Sequence, residues 1–462
     1  MELLDDRRTG KAGADPGRVR PVGGAGHRRP GPGHGAARSH PARVLDRRAR
    51  ADSERLQQLV PLPRRPGERP ADTPARVGRR RPEPASHGEE PGRVGTASLA
   101  ARPARPGRAS PPGAAPLPEG PGAAITRARI DLGRKLFLDR RLSRNGTLSC
   151  AMCHIPRQGF TSHEVATAVG IEGRTLRRNA PTLYNVGYAR HLFHDGREAR
   201  LERQIWGPLL AANEMGNPSV ESVVGRLTDL TDYAGLFERA FAGRGPSMQT
   251  LGAALASYER ALLSGNSPFD RWYFGGDRDA LSQASVRGFR LFSGRAGCDT
   301  CHRIGEKSAL FTDHQLHNTG IGYRQAKGEP RPVRHVTLAP GESVEVDSAT
   351  LQTLSEPLPS DLGLYEVTKD PRDRWKYKTP SLRNVALTAP YMHDGSLATL
   401  REVVEFYAAG GAPNPTLDPG IHPLELASRD IDDLVAFLES LTGDDADLLA
   451  LDAEAAPVGD PR

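Results

Sequence analysis

Aromatic residues are missing from the first 136 positions; Phe137 is the first Phe, Tyr or Trp in the chain. Residues 1–118 also lack periodic apolar positions. Such a stretch cannot bury enough surface to offset the entropy of ordering it. It is rich in Arg, Pro, Gly and Ala ("RRPGPGHGAARSHPAR") and holds 24 Lys+Arg against 12 Asp+Glu, a net +12. The whole chain carries +7, so the remainder carries 7 − 12 = −5. The basic character therefore belongs to the N-terminal stretch alone. Basic residues without interleaved aromatics or a fold do not make a nucleic-acid site, and no nucleic-acid partner is expected. Residues 1–118 are expected to be disordered, or to be translated sequence upstream of the true start.

Long apolar runs are absent as well. No segment approaches the roughly 18 apolar residues of a membrane span, so no integral membrane segment is expected. The opening "MELLDDRRTG" is acidic and then basic, with no apolar core of a signal peptide behind it.

Cysteine is scarce, and its placement is informative. All four cysteines fall in two windows, "SCAMCH" at 149–154 and "GCDTCH" at 297–302. Zinc ribbons place their two Cys-x-x-Cys pairs roughly 15–20 residues apart, whereas these stand 148 apart. A redox dithiol has no use for the trailing His. Covalent haem needs every piece: two thiols add across the porphyrin vinyl groups, and the adjacent His reaches the iron. Cys150, Cys153 and His154 are thus expected to hold one haem c, and Cys298, Cys301 and His302 a second.

From about residue 118 helical periodicity begins. "TRARIDLGRKLFLDRRLS", "TLGAALASYERALLS", "ALSQASVRGFRLFSG", "TLREVVEFYAAGG" and "RDIDDLVAFLESLTG" each carry an apolar stripe, and Gly410-Gly411 stops the fourth. The spacing predicts a mainly α fold of two cytochrome-c-like haem domains with long loops, following the disordered stretch. The expected boundaries are 119–268 for the N-terminal haem domain, 269–445 for the C-terminal haem domain, and 446–462 for a tail. Residues 324–360 alternate Val with polar residues and read as an inserted loop with a short hairpin.

Six motifs carry a resemblance: "LGRKLFLDRRLSRNGTLSCAMCH", "RNAPTLYNVGYARHLFHDGRE", "LERQIWGPLLAANEMGNP", "CDTCH", "LHNTGIGY" and "YKTPSLRNVALTAPYMHDGSLATLREVVEFY". In this order they resemble the bacterial dihaem cytochrome c peroxidase/MauG family, over about residues 126 to 443. The resemblance implies two c-type haem domains with a calcium ion between them. It also implies that peroxide meets the N-terminal haem while the C-terminal haem passes or stores electrons.

Residue by residue, the resemblance makes Glu214 ("NEMGNP") the distal acid–base group and lets Gln204 and Pro208 line its pocket. Many family peroxidases block the first iron with a second His until activated. "VGIEGRTLRRNAPT" has no such His, and His163 ("FTSHEV") reads as a surface or loop residue. A permanently open, five-coordinate first haem is therefore expected, as in the MauG branch. On the second haem, the position where the peroxidases carry a Met ligand is Tyr407, with Met392 and His393 in "PYMHDG" as rivals. Tyrosinate favours higher iron oxidation states than thioether does. Asn179, Thr388 and Pro390 are the implied calcium ligands.

Two departures are expected to matter. His194 stands where family members usually carry the Trp between the haems, leaving hydrogen bonding through His194 or a route through Trp206. Ala296 stands where MauG carries a tryptophan near its partner surface.

The expected function is reduction of hydrogen peroxide at the first haem, with oxidising equivalents leaving through the second to oxidise residues of a protein substrate, in a MauG-like manner. The alternatives are a cytochrome c peroxidase drawing on a small cytochrome c or cupredoxin, and, in another class, a non-catalytic dihaem electron carrier. Haem is attached to CxxCH on the exported side of the bacterial membrane. A periplasmic location is therefore expected, with an export segment encoded just ahead of about residue 118 in another frame or start.

Overall fold

The computed structural model describes residues 125–328, 334–339, 342–346 and 360–455. The stretch 1–118 lies outside these. Thirteen α-helices are named here: α1 (Arg127–Leu138), α2 (Leu201–Gln204), α3 (Trp206–Leu210), α4 (Val220–Asp229), α5 (Leu236–Ala240), α6 (Met248–Ala261), α7 (Pro268–Tyr273), α8 (Gln283–Phe292), α9 (Ile321–Ala326), α10 (Tyr365–Thr368), α11 (Leu400–Ala408), α12 (Ser428–Glu439) and α13 (Ala446–Glu454). The five helices predicted from periodicity are α1, α6, α8, α11 and α12. Strands among the described residues make two antiparallel pairs. β1 (Leu316–His317) pairs with β4 (Tyr377–Lys378), and β2 (Arg334–Ala339) with β3 (Glu342–Val346). The second pair is the hairpin expected within 324–360.

Helix starts follow local chemistry. Thr399 and Glu402 form a reciprocal capping box on α11, Glu402 N donating to Thr399 Oγ1 at 3.1 Å. Ser267 and Asp270 do the same on α7, where Pro268 occupies the first turn.

Two large apolar cores result. The first joins α1 and α6 with Phe137, Phe160, Tyr184 and Tyr258; the Phe137 and Tyr258 rings lie 5.2 Å apart. The second joins α8 and α12 around Phe269, which packs on Phe311 at 5.2 Å and on Phe437 at 5.7 Å. Full burial of such side chains contributes roughly 1.5–3 kcal/mol each.

Each core needs one close helix crossing, and a glycine makes room for it. A Cβ on Gly133 of α1 would lie 2.0 Å from the Ala254 carbonyl oxygen of α6; one on Gly288 of α8 would lie 1.8 Å from that of Asp433 in α12.

Residues 446–462, expected as a tail, include α13. Ala446, Leu449 and Ala453 recur on one face and bury it in the first core. Arg134 of α1 pairs with Asp452 at 2.7 Å, and Tyr184 Oη donates to the Ala446 carbonyl at 3.1 Å. The end of the chain thus returns to the N-terminal core.

Candidate haem cavities

Each CxxCH window is a tight turn. His154 N donates to Cys150 O at 2.9 Å, and His302 N to Cys298 O at 2.9 Å. The turn turns both thiols and the imidazole toward one cavity. The first cavity, about 600 Å³, is lined by Cys150, Cys153 and His154; the second, about 350 Å³, by Cys298, Cys301 and His302. None of the four cysteines is in a disulfide. Burial, foremost, pushes Cys150 up to about 12 and Cys153 to about 11, so both thiols stay neutral.

The histidines are prepared as ligands. His154 Nδ1 lies 3.1 Å from the Phe160 carbonyl, and His302 Nδ1 lies 2.8 Å from that of Phe311. A carbonyl only accepts, so Nδ1 carries the proton and Nε2 keeps its lone pair for iron. Burial lowers the pKa of both rings, which keeps them neutral. Both Phe160 and Phe311 are fully buried, and both have positive φ, 55° and 52°. This costly backbone conformation for an aromatic residue aims each carbonyl at its histidine. The residues present therefore fit a covalently held haem in each cavity.

Neither phenylalanine stands out among the sequence motifs as a haem-site residue. The signal was there: each begins a Phe-Thr pair shortly after its CxxCH, "GFTS" and "LFTD". Thr161 Oγ1 donates to Ala180 O, and Thr312 Oγ1 to Thr379 O at 2.8 Å.

The two halves are also in internal register. "APTLYNV" at 180–186 matches "TPSLRNV" at 379–385, and "HDG" at 194–196 matches "HDG" at 393–395, a constant offset (379 − 180 = 393 − 194 = 199). The backbone repeats with it. Asn185 and Asn384 both adopt left-handed φ, 60° and 59°, and donate N–H to Leu262 O and Leu441 O respectively. At the same offset Pro208 corresponds to Tyr407, and Phe193 to Met392.

Gln204, Pro208 and Glu214 all line the first cavity. Burial pushes the Glu214 carboxyl up, against a pull downward from Arg197. His163 is exposed, with Nε2 on the Leu387 carbonyl at 2.8 Å, and it does not line that cavity. Tyr407 and Met392 both line the second cavity, as does Ala296. Burial foremost, then Cys301 and Cys298, raise the Tyr407 phenol.

The wall common to both cavities includes Asn179, His194 and Lys378. His194 Nε2 donates to the Asn179 carbonyl at 2.9 Å. Burial holds the ring down at about 3, so it is a neutral imidazole. Trp206 sits in the first core and lines neither cavity. His393 is stacked on Tyr377, with ring centroids 3.6 Å apart at 12°. Asn179, Thr388 and Pro390 all line the second cavity.

A further residue of the quoted "LHNTGIGY" motif emerges only in three dimensions. His317 Nδ1 meets Asp418 at 2.6 Å and Nε2 meets Asp313 at 2.8 Å. A hydrogen bond with Cys301, then those carboxylates, push the ring up to about 10. Cys301, Asp313 and His317 are grouped closely enough to resemble a metal site, but a Cys301 thioether to haem leaves no thiolate for a metal.

Two cavities, each lined by a Cys-x-x-Cys-His window with a buried neutral imidazole, and one also lined by Glu214, define a dihaem c-type protein. A family model of the di-haem cytochrome c peroxidase matches residues 127–279. The chain is 37% identical over 353 residues to the methylamine utilization protein MauG of Methylorubrum extorquens, covering 76% of this chain and 86% of that protein. It is 36% identical over 342 residues to the cytochrome-c peroxidase IdrP1 of Denitromonas iodatirespirans, covering 73% and 88%. A crystal structure of a MauG-like protein associated with microbial copper homeostasis superposes with a TM-score of 0.61 at 31% identity, covering 75% of this chain and 98% of that one. The chain belongs to the di-haem cytochrome c peroxidase/MauG family, and it is a peroxidase-type oxidoreductase. Two haem c groups, peroxide and a redox partner come with the family. No helix among the described residues is long and apolar enough to cross a membrane.

Proposed function

We propose a MauG-like division of labour, in which peroxide reacts in the first cavity and the second cavity takes up oxidising equivalents and returns them to a redox partner. The observation that carries this reading is the internal register of Pro208 and Tyr407. Proline has no side-chain donor to offer a metal, so the first cavity keeps an open position beside Glu214. Tyrosine at the matching place offers a phenolic oxygen to the second. On the same grounds Tyr407, rather than Met392, would be the side chain that holds the second iron: Met392 matches Phe193, not Pro208.

When bound, haem iron supplies the electrons and the coordination position for O–O cleavage. Glu214 does the proton work. It takes the proton from the peroxide oxygen nearest the iron position and returns it to the departing oxygen, a role typically worth 10²–10⁴-fold. Burial raises its pKa, which eases taking up and giving back a proton. Gln204 and Pro208 shape the space beside it. His194, neutral and hydrogen-bonded to the Asn179 carbonyl, links the two cavities in place of the family's tryptophan. Asn179, Thr388 and Pro390 hold calcium through oxygen ligands. The location is periplasmic, where haem is joined to CxxCH.

A second reading, cytochrome c peroxidase, is favoured by Ala296, which removes the partner-face tryptophan of MauG. Turnover separates the two. With hydrogen peroxide and a reduced small cytochrome c or cupredoxin, the MauG-like reading predicts slow donor oxidation. Tyr407→Met speeds it if the phenolic oxygen sets the second iron's preference. Fast donor oxidation by the unaltered chain, unchanged in Tyr407→Met, overturns the MauG-like assignment.

A further inference from the structure

The first cavity contains a second carboxyl group, besides Glu214, that has no part in the proton transfer just described. Glu259 lies on α6, one turn after Leu255, and both side chains line the cavity that holds Cys150 and His154. Glu259 is 6% exposed, and among the described residues its Oε2 has no hydrogen-bond partner. A buried carboxyl oxygen without a partner is costly, and it persists as the neutral acid far more easily than as the anion.

The charged neighbours do not rescue the anion. Arg260, next along α6, is held by Glu202 of α2 at 2.7 Å. Tyr258 and the Cys150 thiol that haem attachment consumes interact electrostatically with Glu259, and Cys153, His154 and Glu214 line the same cavity. Burial pushes Glu259 up to about 8, with a small opposing pull from Arg260 and a push from Glu202.

The second half of the chain supplies a control. The end of α6 matches the end of α12, because Asn185 takes the Leu262 carbonyl as Asn384 takes that of Leu441. In that register (441 − 262 = 179) Leu255 corresponds to Leu434 and Glu259 to Leu438, and both leucines line the second cavity. At these two positions the helix is apolar beside the second cavity and carries an acid beside the first.

We propose that Glu259 is a second acid of the peroxide cavity, holding inside the protein one of the two protons that peroxide reduction consumes. The balance requires such a supply. Hydrogen peroxide, two electrons and two protons give two waters; the O–O bond breaks and both oxygens leave as water. The electrons come from a one-electron donor protein through the haems. Glu214 moves the proton that peroxide brings with it. Glu259 gives up a further proton to the cavity and is reprotonated from solvent after turnover. This rests on the first cavity being the peroxide site.

Infrared spectroscopy of the holoprotein tests it without relying on turnover. At pH 7 the protein should show the carbonyl stretch of a buried protonated carboxylic acid, lost with a midpoint near pH 8. Glu259→Gln should abolish that band, and Glu214→Gln should keep it. The rate of the peroxide-induced spectral change should fall above pH 8 in the unaltered protein, and this alkaline limb should be missing in Glu259→Gln. No such band at pH 7, a band that survives Glu259→Gln, or one removed by Glu214→Gln overturns the proposal. If Glu259→Gln does not yield folded holoprotein, the Glu214→Gln spectrum and the unaltered protein decide alone. A band that behaves as stated in a protein inert to peroxide would instead fault the assignment of the peroxide site.

Discussion

Arg383 grips both carboxylate oxygens of Asp270, at 2.8 and 2.9 Å, in a pair almost wholly removed from solvent. Arg383 Nε also donates to Ala309 O, two residues before Phe311, whose carbonyl orients His302. The ion pair therefore ties α7, the segment after the second CxxCH and the "LRNV" stretch into one unit. Removing one partner of a buried pair leaves an uncompensated charge and costs about 3–5 kcal/mol. Asp270→Ala is expected to lower the unfolding free energy by that amount, as measured by urea denaturation of the holoprotein. A loss below about 1 kcal/mol would mean that the pair is dispensable.

The two glycine crossings give a contrast between identical changes. Gly288→Ala drives a methyl group into the Asp433 carbonyl, 1.8 Å away, and must push α8 from α12. Overpacking of this kind costs about 1–3 kcal/mol. Gly225→Ala in α4 meets no atom within 4 Å, and should stabilise by about 0.5–1 kcal/mol through helix propensity. Thermal unfolding should move the two melting temperatures in opposite directions.

Acid sensitivity should originate at Arg178. Its guanidinium meets Asp361 at 2.5 and 2.8 Å and Asp195 at 2.7 Å. Burial by itself would raise both carboxyls, but Arg178 outweighs it and holds them below the ordinary range. Groups with depressed native pKa contribute stability that is present above their unfolded value, about 4, and is lost as pH falls through the native values. The melting temperature should therefore drop as pH falls below about 4. In Arg178→Met Asp361 loses its cation and favours the neutral form, while Asp195 keeps only Arg197 at 2.9 Å, so the protein is weaker at pH 7 and the acid drop shrinks. An unchanged pH profile in that variant would remove this network from the account.

If Asn179, Thr388 and Pro390 hold calcium as proposed, the ion should stabilise the folded chain by mass action. Chelation is expected to lower the melting temperature, and added calcium, not magnesium, to restore it, because the site offers carbonyl and amide oxygens rather than water-rich octahedral geometry. Indifference to chelator in a sample shown to contain calcium would contradict the assignment.

Much of this architecture is legible in the sequence. The CxxCH windows and the apolar stripes of α1, α6, α8, α11 and α12 are local patterns, and each reports itself within a dozen residues. What escapes depends on contacts between distant segments. The helix α13 is short and alanine-rich, and only packing on the first core explains it. His317 needs Asp418, brought near by the chain's return after α11. Glu259 reads as one more surface acid at the end of an amphipathic helix until the cavity beside it is seen. The Pro208–Tyr407 correspondence was present as a constant offset, yet its meaning depends on both residues lining cavities.

The most direct test of the central claim is the absorption spectrum of the holoprotein before and after hydrogen peroxide. One iron position left open beside Glu214 predicts a high-spin component in the ferric protein that changes rapidly on adding peroxide and changes about a hundredfold or more slowly in Glu214→Gln. Two low-spin, six-coordinate haems that ignore peroxide would contradict it.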